Sequence, residues 1–104
     1  MAQFDVFANP IEAARRAYPF VVVLQSDFAP NAREQVIAPL VPREALPETT
    51  GRLTPIIVLD GREHVALVPA LTGVRSRDLR ARHSSAGDCR SELLAAIDYL
   101  FFGV

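Results

Sequence analysis

The sequence predicts a mainly β domain, a small barrel or sandwich, with a single α-helix appended at its C-terminal end. Three observations carry this. β-Branched apolar runs recur at residues 20–24, 35–41 and 55–59, each bounded by proline, asparagine or glycine. An Asp60-Gly61 pair joins two β-rich runs. Only residues 86–101 space their apolar side chains as a helix does.

Each element follows from local chemistry. Phe4, Val6 and Ala8 alternate with Asp5, Phe7 and Asn9, which predicts a short first strand ended by Asn9-Pro10. Residues 11–16 read as one helical turn or a polar loop carrying Arg15 and Arg16. Tyr18-Pro19 marks the next boundary, because a residue before proline is biased away from helix. The run 20–24 shows no alternation, which predicts burial on both faces. Ala29-Pro30-Asn31-Ala32 reads as a turn, and residues 35–41 as a third strand. Pro39 cannot donate to a ladder, so an edge or a bulge is expected there. Residues 42–53 contain Pro42, Pro47, Thr49, Thr50 and Gly51 and predict a long surface excursion. Residues 55–59 and 62–68 flank Asp60-Gly61 and predict a hairpin, since a type I′ turn needs positive φ at both central positions. Residues 69–75 are turn-prone, and residues 75–82 form an exposed mixed-charge stretch.

The helix is predicted over about 86–101. Ser85 is its candidate N-cap and Asp88 the capping-box partner. Ala86, Cys89, Leu93, Ile97 and Leu100 repeat at three- and four-residue steps as one apolar stripe, with Glu92 and Asp98 pointing away. Gly103 is placed to stop it.

Composition narrows the function. The 104 residues fit one domain, 1–104, and half are apolar, which excludes a mostly disordered chain. Eleven basic and twelve acidic side chains give a net charge of −1, which argues against a dedicated nucleic-acid binder. All eleven basic residues are arginine, scattered as a solvated face would be. A single cysteine excludes an internal disulfide framework. No apolar run reaches the ~18 residues of a membrane span. The first residues lack a signal-peptide profile, so a cytoplasmic protein is expected.

No catalytic, metal or cofactor site is expected. Cys89 and His83 are the one nucleophile–base pair to consider, but Cys89 lies on the apolar stripe, where a free thiol acts as a small hydrophobe. His64 and His83 are too few for a tetrahedral metal site, and His64 is expected on the outer face of its strand. Asp27 with Glu34, and Asp60 with Glu63, read as surface charges. The chain's end, Leu100-Phe101-Phe102-Gly103-Val104, is different. An apolar end must be buried in its own domain, in a dimer partner or in a target. Phe101 can turn toward the core; Phe102 and Val104 lie past the last full turn, where the core hardly reaches.

Several segments together resemble the CcdB family of toxins. The ending Ile97-Asp98-Tyr99-Leu100-Phe101-Phe102-Gly103-Val104 is similar to the family's ending, which closes with Trp-Gly-Ile. Gln25-Ser26-Asp27 matches its Gln-Ser-Asp, and Ile37-Ala38-Pro39-Leu40 resembles its Val-Ile-Pro-Leu. Pro55-Ile56-Ile57 falls where the family has Pro-Val-Val, and Gln3-Phe4-Asp5-Val6 resembles its Gln-Phe-Lys-Val. The resemblance implies an SH3-like barrel that forms a homodimer, binds the DNA gyrase A subunit and traps its cleaved-DNA complex without catalysis. It implies a CcdA-like antitoxin that wraps the toxin, removes it from gyrase and co-represses the operon with it. Nucleic acid would then be contacted only through the antitoxin, and no membrane is involved.

Carried over by position, the gyrase-facing residues are Phe102, Gly103, Val104 and Leu100, with Phe28 and Ala29 after Gln-Ser-Asp. The family's tryptophan, which stacks on a gyrase arginine, is Phe102 here. Antitoxin contacts fall on the loop holding Arg15 and Arg16, and on Leu67 and Leu71. Two alternatives remain: a MazF-like endoribonuclease toxin on the same barrel, using Arg33 and Ser26, or an inactive chromosomal relic that keeps only antitoxin binding.

Overall fold

A computed structural model describes residues 1–27, 32–46 and 51–104. Its strands are β1 (Asp5–Ala8), β2 (Phe20–Val23), β3 (Glu34–Pro42), β4 (Ile56–Leu59), β5 (Arg62–Ala66), β6 (Thr72–Arg75) and β7 (Arg82–Ser85). One helix, α1 (Arg90–Phe102), follows them. All strand pairs are antiparallel, in the order β4-β5-β3-β2-β1-β7, with β6 beside the first half of β3. The mainly β barrel with one C-terminal helix is therefore the fold that forms.

The sheet curls until its two ends meet. Asp60, in the turn after β4, accepts a 2.8 Å hydrogen bond from His83 Nε2 on β7. The other ring nitrogen lies 2.8 Å from the Ser84 hydroxyl, a second hydrogen bond on the same ring. The Phe20 ring packs on the imidazole with centroids 4.7 Å apart.

Two cores lie on opposite faces of the central strands. The larger holds Phe4, Val6, Val22, Leu24, Ala38, Leu40, Ile57 and Leu59 beneath Leu93 and Ala96 of α1. The smaller holds Phe7, Val21, Val23 and Ile37 beneath Leu79 and Val74. Successive side chains of a strand point to opposite faces, so the unbroken run Val21–Leu24 feeds both cores, as its lack of alternation predicts. The same second core overturns the simple alternation expected for β1, where Val6 and Phe7 are both buried. Phe4 adopts φ 68°, a left-handed conformation that costs an L-residue about 1–2 kcal/mol. It is held there by Phe4 N–H to Val23 carbonyl (2.7 Å) and Ala86 N–H to Phe4 carbonyl (2.8 Å).

The hairpin β4–β5 forms as expected, with Asp60 at φ 52° and Gly61 at φ 76°. Pro39 does not sit on an edge strand, since β3 is paired on both sides. Its carbonyl accepts from Leu67 N–H at 2.9 Å, so its missing N–H also faces that side. There the partner of β3 changes from β6, paired through Ile37, to β5, paired from Leu40. The ladder loses nothing at that seam. His64 is likewise not on an outer face. It is 3% exposed, edge-on to Phe20 at 5.9 Å, and its Nδ1–H donates to the Arg62 carbonyl at 3.0 Å.

α1 begins at Arg90, after a 3-10 turn over Gly87–Cys89, rather than near residue 86. Ser85 ends β7, and its hydroxyl accepts from Gly87 N–H at 3.1 Å, so no capping box forms. Gly103 ends the helix at φ 72°, donating its N–H to the Tyr99 carbonyl at 3.0 Å. Phe102 is thus the last helical residue, and only Val104 lies beyond the stop.

Candidate functional site

The segments that resemble a family motif do structural work here. Gln25 Oε1 accepts from Val36 N–H at 3.2 Å, and Asp27 Oδ1 accepts from Gln3 N–H at 2.5 Å. Gln3 Nε2 in turn donates to the Leu24 carbonyl at 3.0 Å. These bonds tie the chain's start to the end of β2 and the first half of β3. Phe28 and Ala29 lie outside the described residues.

At the other end of this region stands the end of α1. Leu93 and Ala96 are buried, and Leu94, Ile97 and Leu100 pack half-buried against the larger core. Leu100, expected on the same contact surface as Phe102, is therefore partly engaged by the barrel. Phe101 is 61% exposed, and Phe102 and Val104 are each 74% exposed. Phe101 does not turn into the core. It borders an apolar groove of about 260 Å³, together with Leu24, Gln25, Val36, Leu71 and Ile97. Tyr99 stands on the other side of the helix end under Arg52, whose guanidinium lies 4.2 Å from the ring centroid.

Arg15 and Arg16 lie in the loop between β1 and β2, and both are exposed. Buried Asn9 shapes that loop. Its side chain donates to the Tyr18 carbonyl (2.8 Å) and accepts from Ile11 N–H (2.9 Å). Arg15 Nε donates to the Asn9 carbonyl at 2.6 Å, so this guanidinium is partly occupied in holding the loop. Leu67, expected within the second hairpin run 62–68, lies just past that strand, as does Leu71. β5 ends at Ala66, and the two leucines bracket the 3-10 turn Val68–Ala70, which packs against α1. Leu71 lines the same groove as Phe101.

The nucleophile–base pair is not assembled. Both ring nitrogens of His83 are bonded, to Asp60 and to Ser84, and neither to Cys89. The Cys89 Sγ–H donates to the Ile56 carbonyl at 3.7 Å. Burial, with the nearby Glu92 and Asp88 carboxylates, pushes the thiol up from its ordinary value, so it stays protonated and unreactive at neutral pH. The carboxylate pairs are likewise divided among partners: Asp27 with Gln3, Asp60 with His83, and Glu63 with Arg43 at 2.8 Å. Arg33 is exposed at the entry to β3 and Ser26 follows β2; residues 28–31 between them lie outside the described residues.

One grouping was not legible as a site. Arg33, Arg75 and Arg77, read in sequence as scattered charge, line one depression with Glu34 and Ser76. The available signal was the four arginines within residues 75–82, masked by a chain-wide balance near zero.

The fold is thus a small antiparallel barrel capped by one helix whose apolar end is exposed. A model of the CcdB protein family matches residues 3–103, and the chain belongs to that family. It is accordingly a toxin of the toxin–antitoxin class. No curated protein matches it. No helix is long and apolar enough to cross a membrane.

Proposed function

We propose that the protein is a non-catalytic toxin that binds the DNA gyrase A subunit through Phe102, Gly103 and Val104, with Phe101 and the groove beside it completing the contact. The observation that supports this is the exposure of Phe101, Phe102 and Val104, three large apolar side chains grouped at one helix end. Exposed apolar surface of this kind is stable in water only at a cost, and grouped patches mark binding sites. Phe102 offers a ring face to a partner cation, a contact that contributes ~0.5–2 kcal/mol. The CcdB membership supports the choice of target.

A CcdA-like antitoxin that reaches Leu71 would cover the groove bordered by Phe101, because both residues line it. Antitoxin and gyrase would then compete for adjoining surface. A homodimer would present two such helix ends, and sedimentation should give about twice 11.4 kDa.

The test is deletion of Phe102, Gly103 and Val104. The truncated protein should keep its melting temperature and its binding to the cognate antitoxin, while growth arrest and gyrase A-subunit binding are lost. If the truncated chain unfolds, or still binds gyrase with unchanged affinity, the contact lies elsewhere.

A further inference from the structure

Residues 75–82 contain four arginines and one aspartate, a local charge of +3 in a chain whose total is −1. The fold brings Arg33 to this segment from 42 residues away. Ser76 N–H donates to the Arg33 carbonyl at 2.8 Å, and the Ser76 hydroxyl donates to the Ala32 carbonyl at 2.6 Å. Arg75 lies opposite Glu34 in the β3–β6 register. The result is a surface depression of about 600 Å³ lined by Arg33, Glu34, Arg75, Ser76 and Arg77.

The three guanidiniums are exposed and make no ion pair among the described residues. The arginines by the hairpin behave otherwise: Arg43 pairs with Glu63 and Arg62 with Glu44. Glu34 offsets part of the charge, and a cationic excess remains. We propose that Arg33, Arg75 and Arg77 form a contact for the phosphates of a nucleic-acid backbone. Guanidinium forks match phosphate oxygens in planar bidentate geometry. Among the described residues, the lining side chains are all arginine, glutamate or serine. Protein partners are anchored by buried aromatic or aliphatic residues, and no described side chain of that kind lines this depression to receive one. A partner recognised by charge alone is a polyphosphate chain, whose affinity comes from counterion release. The net charge of the whole chain hides this surface, because most of the compensating carboxylates are elsewhere. The inference is independent of the gyrase reading, since it is tested with the toxin and DNA alone.

The experiment is fluorescence anisotropy of the full chain with a labelled duplex of about 20 base pairs and arbitrary sequence, over a salt series. Three phosphate contacts predict a slope of about −2.7 in log K against log salt, or about 40-fold weaker binding from about 50 to about 200 mM salt. Removing one arginine, as in Arg75→Ala, should lower the slope by about 0.9. The triple variant Arg33→Ala, Arg75→Ala, Arg77→Ala should abolish binding, and the three Arg→Lys changes should retain most of it. The paired Arg43→Ala should bind as the parent does. If the triple alanine variant loses its circular-dichroism melt, the parent's slope and the lysine variant decide the matter. Absence of DNA binding at about 50 mM salt, or equal binding by a folded triple variant, overturns the proposal. So does displacement of the duplex by a polyglutamate peptide at lower concentration than by unlabelled DNA, which would assign the surface to an acidic protein. Displacement by inorganic phosphate as effectively, per phosphate, as by DNA would assign it to the free anion and also overturn the nucleic-acid reading.

Discussion

The middle of α1 and its C-terminal end carry similar side chains and do opposite things. Leu93 and Ala96 are fully buried against the barrel, whereas Phe101 and Phe102, further along the same helix, are more than half exposed. Both groups are apolar, so composition does not separate them. What separates them is where the barrel ends and which way the helix faces, since Phe102 comes round to the side opposite Leu93. Leu93 and Ala96 sit over the core built on Val22, Leu40 and Ile57, and Leu100 still reaches that core. Phe102 does not. One stretch of helix is therefore held by the fold, while the next retains an unspent hydrophobic free energy that only a partner can release.

The sharpest way to break that comparison is to truncate one residue on each side of it. Leu93→Ala removes a fully buried leucine and should destabilise the protein by about 3–5 kcal/mol, measured by urea unfolding. Phe101→Ala, in contrast, should change stability by no more than about 0.5 kcal/mol, because its ring is mostly in water. Equal losses in the two variants would mean that the helix end is core after all. Phe102→Trp sharpens the comparison from the binding side. The larger ring should tighten gyrase A-subunit binding by about 1 kcal/mol, roughly fivefold, at unchanged melting temperature. Calorimetric titration of both proteins would detect it.

Cys89 lies between the two regimes, half-buried where the helix begins. Cys89→Ala should cost about 1 kcal/mol and leave toxicity intact. Its raised thiol value also sets a pH dependence. A group whose value rises on folding contributes fully below its unfolded value, and the contribution is lost as pH climbs through the folded one. The parent's advantage over Cys89→Ala should therefore shrink at alkaline pH, and Ellman's reagent should label the native thiol more slowly than the urea-unfolded one. A small effect is also expected at the sheet's closing bond. A double-mutant cycle on His83 and Asp60 should return about 0.2–1 kcal/mol, since Asp60 is 80% exposed and such pairs are screened.

Legibility followed the range of the cause. The β4–β5 hairpin was readable because Asp60 and Gly61 carry their positive φ values locally. The burial of Val21 to Leu24 on both faces was readable because alternation, or its absence, is a property of adjacent residues. The helix stop at Gly103 and the exposure of Phe102 and Val104 were readable for the same reason, whereas Phe101, expected to turn toward the core, is exposed as well. The helix start was not. Ser85 and Asp88 fit a capping box in sequence, yet Ser85 is claimed by β7, so the cap is lost to a strand whose partner lies about eighty residues away.

By itself, then, the sequence determined the mainly β class, the hairpin, the single C-terminal helix with its apolar stripe, and the family to which the chain belongs. Each rests on a periodicity, a turn chemistry or a motif contained within a few neighbouring residues. Tertiary structure alone decided that Pro39 sits in a central strand, because its missing N–H falls where β3 exchanges β6 for β5. It alone decided that His64 is buried under Phe20, that His83 meets Asp60 across the sheet's two ends, and that Arg33 joins Arg75 and Arg77. Those outcomes depend on which strands pair and in what register. Pairing is settled by the burial of two cores at once, a condition on the whole chain that no local window contains.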